Sequence, residues 1–171
     1  PAGFPRVFNL PDPVEFVIRP EEFWILTENG PNVARVYTDG RPHLEEPWGT
    51  YTGDSVGHWE GDTLVFTTIG LKGWRDEDMI LDRSGLVLSD AAEVSTRMRK
   101  TDDMTLEVQM TIEDSKALTA PWVVTKTFRK MPAGSRVFDY GCAENNRNPV
   151  DPTTGQTLTL GPDGERLNDD N

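Results

Sequence analysis

Hydrophobic and polar residues alternate most regularly between positions 90 and 112. Val94, Thr96 and Met98 interleave with Ser95, Arg97 and Arg99. Residues 100–103 then turn the chain, and Leu106, Val108, Met110 and Ile112 interleave with Glu107, Gln109 and Thr111. A period of two with one apolar side marks a half-buried antiparallel strand, because successive side chains point to opposite faces. Leu106, Val108, Met110 and Ile112 are therefore expected to share one buried face. Shorter runs rich in branched and aromatic residues predict strands at 14–19, 22–28, 33–37, 55–59, 63–68, 122–129 and 137–140. Glu60-Gly61-Asp62 predicts a tight hairpin turn, since glycine accepts a positive φ without a side-chain clash. Residues 39–54 and about 70–88 read as long loops, and 114–118 could form one helical turn.

Eight or nine short strands with no helical periods between them predict an all-β fold. The expected architecture is an antiparallel sheet, strongly curved or closed into a calycin-like barrel, because closure removes exposed edges. Residues 1–13 hold four prolines. Proline lacks an amide hydrogen and has a fixed φ, so this stretch is expected to be an extended arm rather than a helix or central strand, its Phe4, Val7, Phe8 and Leu10 lying against this domain or against a partner. Residues 14–142 form the expected β domain, and 143–171 a polar, acidic tail with turn signals at Asp151-Pro152, Thr154-Gly155 and Pro162-Asp163-Gly164.

Composition narrows the function classes. The net charge is −12, from 17 Lys and Arg against 29 Asp and Glu. A surface that acidic disfavours nucleic acid and anionic lipid as partners. No run approaches the length of a transmembrane helix. A single cysteine, Cys142, precludes an intrachain disulfide and a Cys-cluster metal site. Only two histidines, His43 and His58, are present, and the acidic runs lack the alternating ligands of a calcium loop, so neither metal nor cofactor is expected. The chain begins at Pro1 without a methionine, as a processed product would.

Candidate chemistry is thin. The loop from Tyr37 to His43 gathers a phenol, the Asp39 carboxylate, the Arg41 guanidinium and an imidazole, a set able to do acid–base work if it lined a pocket. Alternatively, Asp39 caps the turn and Arg41 pairs with an acid. His58 could face a barrel lumen, or lie in the wall or in solvent; its neighbour Trp59 must point to the opposite face. Trp24, Trp48, Trp59, Trp74 and Trp122 could frame an aromatic pocket or simply fill the core. No nucleophile elbow, phosphate-cradling loop or dinucleotide fingerprint occurs.

The run Tyr37–His43 (YTDGRPH) and the run Ser55–Val65 (SVGHWEGDTLV), with Ser89-Asp90-Ala91, Thr111-Ile112-Glu113-Asp114, Pro121-Trp122 and Cys142–Asn146, resemble a family of exported bacterial proteins of uncharacterised activity. The resemblance spans about residues 2–146. It implies an oxidising, periplasmic or cell-surface location, and pairing of Cys142 with a cysteine upstream of this chain. The sequence departs from the family pattern at Asp54, where histidine is common, and at His58, where arginine is common.

With no strong catalytic constellation, the expected function is that of a non-enzymatic interaction protein. Its most concrete form is an extrinsic, periplasm-side accessory subunit of a larger complex, soluble or membrane-bound. Phe4, Phe8 and Leu10 of the arm and Asp163, Glu165, Asp169 and Asp170 of the tail are the expected partner-binding residues, the acids meeting a basic docking surface on the partner. The alternative is a barrel enzyme or small-ligand-binding protein using Tyr37, Asp39, His43 and His58.

Overall fold

A computed structural model of the chain describes residues 3–28, 33–72, 81, 85–138 and 153. The chain divides into two compact units, Pro1–Tyr140 and Gly141–Asn171, and the fold described is that of the first. Its strands are β1 (Val14–Ile18), β2 (Glu22–Thr27), β3 (Ala34–Tyr37), β4 (Asp54–Glu60), β5 (Thr63–Ile69), β6 (Glu93–Asp102), β7 (Thr105–Glu113) and β8 (Trp122–Arg129). They form one sheet in chain order, β1 to β8, curled through 241° into a half-barrel. The expected all-β, strongly curved sheet is therefore the fold. Among the described residues there is no α-helix.

The apolar side chains of the long hairpin decide which face is inside. Val108, Met110 and Ile112 are buried and Leu106 packs against them, opposite Met98, Thr96, Val94 and Lys100 of β6. The same parity continues around the sheet through Leu64, Phe66 and Thr68 of β5 and Phe23 and Ile25 of β2. Gly57 of β4 faces Phe66. A Cβ there would sit 2.3 Å from the Val65 carbonyl oxygen and 2.5 Å from Phe66 Cβ, so only glycine lets β5 approach. Burial of each large core side chain contributes roughly 1.5–3 kcal/mol.

Three expectations need correction. First, the neighbours are not all antiparallel: β3 and β4 run parallel, with Val36 beside Ser55 and Tyr37 beside Val56. A parallel pair needs a crossover rather than a tight turn, and the long loop 38–53 provides it, held by Thr50, whose N–H donates to the Gly70 carbonyl and whose carbonyl accepts from Lys72 N–H.

Second, a strand expected at 137–140 does not begin at its two described residues. Val137 and Phe138 lie outside any strand, the Phe138 N–H donating to Glu28 Oε1 at 2.9 Å, and Asp139 and Tyr140 lie outside the described residues.

Third, the arm lies against its own domain, one of the two places left open to it from the sequence, and is not extended throughout. Arg6–Asn9 form a 3₁₀ turn, and Phe4, Val7 and Phe8 are buried in the core of their own domain. Phe4 lies 5.9 Å from Phe66 and 5.7 Å from Phe8, and Phe8 lies 5.7 Å from Phe128, ring centre to ring centre. Phe4 and Phe8, expected as anchors on a partner, are spent on this fold. The physical reason is the open sheet. A half-barrel leaves its concave face uncovered, and the arm is the nearest apolar segment able to fill it.

The expected turn at 114–118 is present as a single turn closed by Leu118 N–H on the Asp114 carbonyl. Asp163, Glu165, Asp169, Asp170 and Cys142 lie outside the described residues.

Candidate functional site

The loop after β3 holds the first set of candidate residues. Tyr37 ends the strand, and glycine at position 40, with φ of 84°, turns the chain. The turn brings Arg41 back on Asp39. Arg41 Nε donates to both Asp39 oxygens at 2.9 Å, Nη2 donates to Oδ2 at 2.6 Å, and Arg41 N–H donates to Oδ1 at 3.2 Å. The same guanidinium stacks 4.0 Å over the Tyr37 ring. These hydrogen bonds hold the Asp39 carboxyl below the usual carboxylate range and raise Arg41. Asp39 is thus a turn cap committed to Arg41, a poor proton acceptor for any substrate.

His43 has a different partner. Its Nδ1 lies 2.8 Å from Oδ2 of Asp54, the first residue of β4, and the same oxygen accepts Leu44 N–H at 3.1 Å. A carboxylate at that distance assigns the proton to Nδ1 and leaves Nε2 as an acceptor. Nε2 is buried and without a hydrogen-bond partner, as is Thr38 Oγ1.

His58 is not part of this group. Its Nε2 lies 3.2 Å from Glu60 Oε1 on the convex face, where Glu60 also accepts Arg97 Nη2 at 2.8 Å. Arg97 first, and His58 second, hold Glu60 below its ordinary value. Asp54 and His58 are four residues apart along β4, about 13 Å at strand spacing. The two imidazoles therefore serve separate carboxylates.

The described tryptophans do not converge. Trp48 is 85% exposed, Trp59 and Trp122 are also on the surface, and Trp24 is held between Arg19 and Arg35 with its indole N–H on Glu22. Trp74 lies outside the described residues. Among the described residues no three His, Cys, Asp or Glu side chains gather as a metal site would require, and no helix is long and apolar enough to cross a membrane.

Several residues behind the family resemblance do structural work. Ser89 and Asp114 come from separate motifs and meet in the interior. Asp114 Oδ2 accepts Ser89 N–H and Oδ1 accepts the Ser89 hydroxyl, both at 2.6 Å, while Lys116 and Ala117 N–H donate to Oδ1 at 3.0 Å. Ser55 and Thr68 share a buried hydroxyl contact of 2.7 Å.

The concavity of the domain lies elsewhere, at the mouth of the half-barrel between β1 and β8. A groove of about 1840 Å³ opens there. Its walls are Val14, Glu15 and Phe16 on one side and Lys126, Thr127, Phe128 and Arg129 on the other, with Leu10 and Leu106 also in the lining. Its described lining holds six cations (Arg6, Lys100, Lys126, Arg129, Lys130 and Arg136) against three anions (Asp12, Glu15 and Asp103). In a chain of net charge −12 that is a local reversal of sign.

Lys126 is the unexpected member. Its register partner is the fully buried Val108, and it shares the inward parity of Val124 and Phe128. Its Nζ donates to Asn9 Oδ1 of the arm at 2.7 Å. The alternation Val124-Thr125-Lys126-Thr127-Phe128 places a lysine at an inward position on pattern alone, and that signal could have identified it. Asp54 carried no such signal, since its pairing with His43 depends on the crossover.

Compared with known proteins, the chain matches no family model, no curated protein and no solved structure.

Proposed function

We propose that the protein is a non-enzymatic interaction module, an extrinsic accessory subunit on the periplasmic side of a larger complex, soluble or membrane-bound. The observation that carries the docking role is the mouth between β1 and β8, an apolar groove edged by cations on an otherwise acidic domain. The exported location rests on the family resemblance. This groove is a basic surface of the chain's own, beside the expected tail acids, which lie outside the described residues, and the arm's Phe4 and Phe8 are interior.

Isolation of the intact chain from its native source tests this reading. A defined partner should co-purify at fixed stoichiometry. Charge reversal in the groove by Lys126→Glu with Lys130→Glu should release it, whereas His58→Ala on the convex face should not. Recovery of a monomer with no stoichiometric partner, or equal retention by all three chains, would count against the proposal.

A second reading, a barrel enzyme or small-ligand-binding protein at Tyr37, Asp39, His43 and His58, keeps one specific observation: the His43–Asp54 pair with an unpartnered Nε2. Asp39 and Tyr37 are engaged by Arg41 and His58 by Glu60, which leaves His43 alone of these four candidates. Loss of a measurable activity in His43→Gln, with the fold intact, would favour it.

A further inference from the structure

The groove between β1 and β8 is bordered by consecutive residues on each side. Neighbouring residues of a strand point to opposite faces, so a cavity that touches both parities meets the strand's edge rather than one of its faces. β1 pairs only with β2 and β8 only with β7 among the described residues. The curl of 241° leaves roughly a third of the circumference without sheet. Two strand edges thus face a common gap, and an edge offers main-chain N–H and C=O groups to an added strand.

Size and charge select the occupant. Small-molecule pockets span about 300–1,000 Å³, and this groove is larger, at about 1840 Å³. Its lining includes the apolar Leu10, Phe16 and Leu106. Of the cations, Lys100 is paired with Asp103. Lys126 bonds only a neutral amide oxygen, and Lys130 and Arg136 have no carboxylate partner among the described residues. These cations are left with charge for an anionic partner to meet.

Resting on the docking role above, we infer that this gap receives an extended, acidic peptide segment of the partner. Its main chain lies along the open strand edges, its aliphatic side chains cover Leu10, Phe16 and Leu106, and its carboxylates meet Lys126, Arg129 and Lys130.

The test uses the intact chain and a fluorescein-labelled peptide of alternating glutamate and leucine, followed by anisotropy. Binding should weaken in high salt, and should be lost when lysine replaces glutamate, when serine replaces leucine, or when alternate peptide nitrogens are methylated. Lys126→Met should weaken it about fivefold, the factor set by one ion pair. Arg129→Gln, at an exposed position, gives an independent readout, and thermal melting of both variants reports that the fold is intact.

Equal binding by the lysine peptide, or unchanged affinity in both variants, overturns the inference. So does oleate binding with the same dependence on Lys126 while the peptide fails, since the occupant is then a small amphiphile. If the native partner is retained by Lys126→Met with Lys130→Gln, the groove assignment fails while the docking role stands. If no native partner exists, the docking role itself fails.

Discussion

Phe8 and Phe128 meet near edge to face with ring centres 5.7 Å apart, joining the N-terminal arm to the last strand. The contact spans nearly the whole described chain. It packs the arm against the strand that borders the gap between β1 and β8. Phe8→Ala should therefore destabilise the domain by about 3–5 kcal/mol, the cost of a large buried aromatic. Removal of residues 1–13 takes Phe4, Val7 and Phe8 together and should prevent stable folding, because total stability of a domain is only about 5–15 kcal/mol. Urea titration followed by circular dichroism checks both.

The buried Asp114 carboxylate makes stability acid-sensitive. Burial pushes its carboxyl up, but the hydrogen bonds from Ser89, Lys116 and Ala117 outweigh that and lower it below the ordinary 3.8. A group whose folded value lies below its unfolded value stabilises fully above the unfolded value and loses that contribution as pH falls through the folded one. Thermal midpoints measured from pH 6 down to pH 2 should fall below about pH 4, and Asp114→Asn should flatten that part of the curve. At neutral pH the same substitution should cost roughly 1–3 kcal/mol by leaving donors poorly satisfied.

Gly57→Ala tests the close approach of β4 and β5. The added methyl meets the Val65 carbonyl oxygen and the Phe66 backbone, neither of which is the end of a flexible side chain. Destabilisation of about 1–3 kcal/mol or more is expected, in the range of core overpacking. Gly61→Ala has open space around its Cβ but a φ of 63°, so it is strained by backbone alone and should cost less, about 1 kcal/mol. Comparing the two denaturation midpoints separates steric from conformational cost.

The His43–Asp54 pair predicts a proton held on Nδ1, detectable by nitrogen-15 correlation of the imidazole. Asp54→Asn should redistribute the tautomers. A double-mutant cycle with His43→Gln should return a coupling of roughly 0.5–1.5 kcal/mol, as for one hydrogen bond. No coupling would show that the two side chains do not hold the crossover together.

The strands were legible because burial on one face imposes a period of two, and the period survives in the letters. That is why Leu106, Val108, Met110 and Ile112 could be placed on one face, and why the turn at Gly61 could be placed between β4 and β5. Arg41 pairing with Asp39 was among the readings open from sequence, since both ends of the contact lie in one turn. The burial of Phe4 and Phe8 on their own domain was one of two readings open from their apolar character, but the parallel pairing of β3 and β4, the union of Ser89 with Asp114 and the pairing of His43 with Asp54 were not legible. Each joins residues whose separation in the chain carries no periodic mark, and each exists only once the sheet has curled. The sequence by itself determined the all-β class and the inward row of side chains, including Lys126, because alternation is a local property of the chain. Only the tertiary structure decided that the barrel stays open, that the arm plugs it, and that cations gather at its mouth, because curvature and closure depend on contacts between the two ends of the sheet.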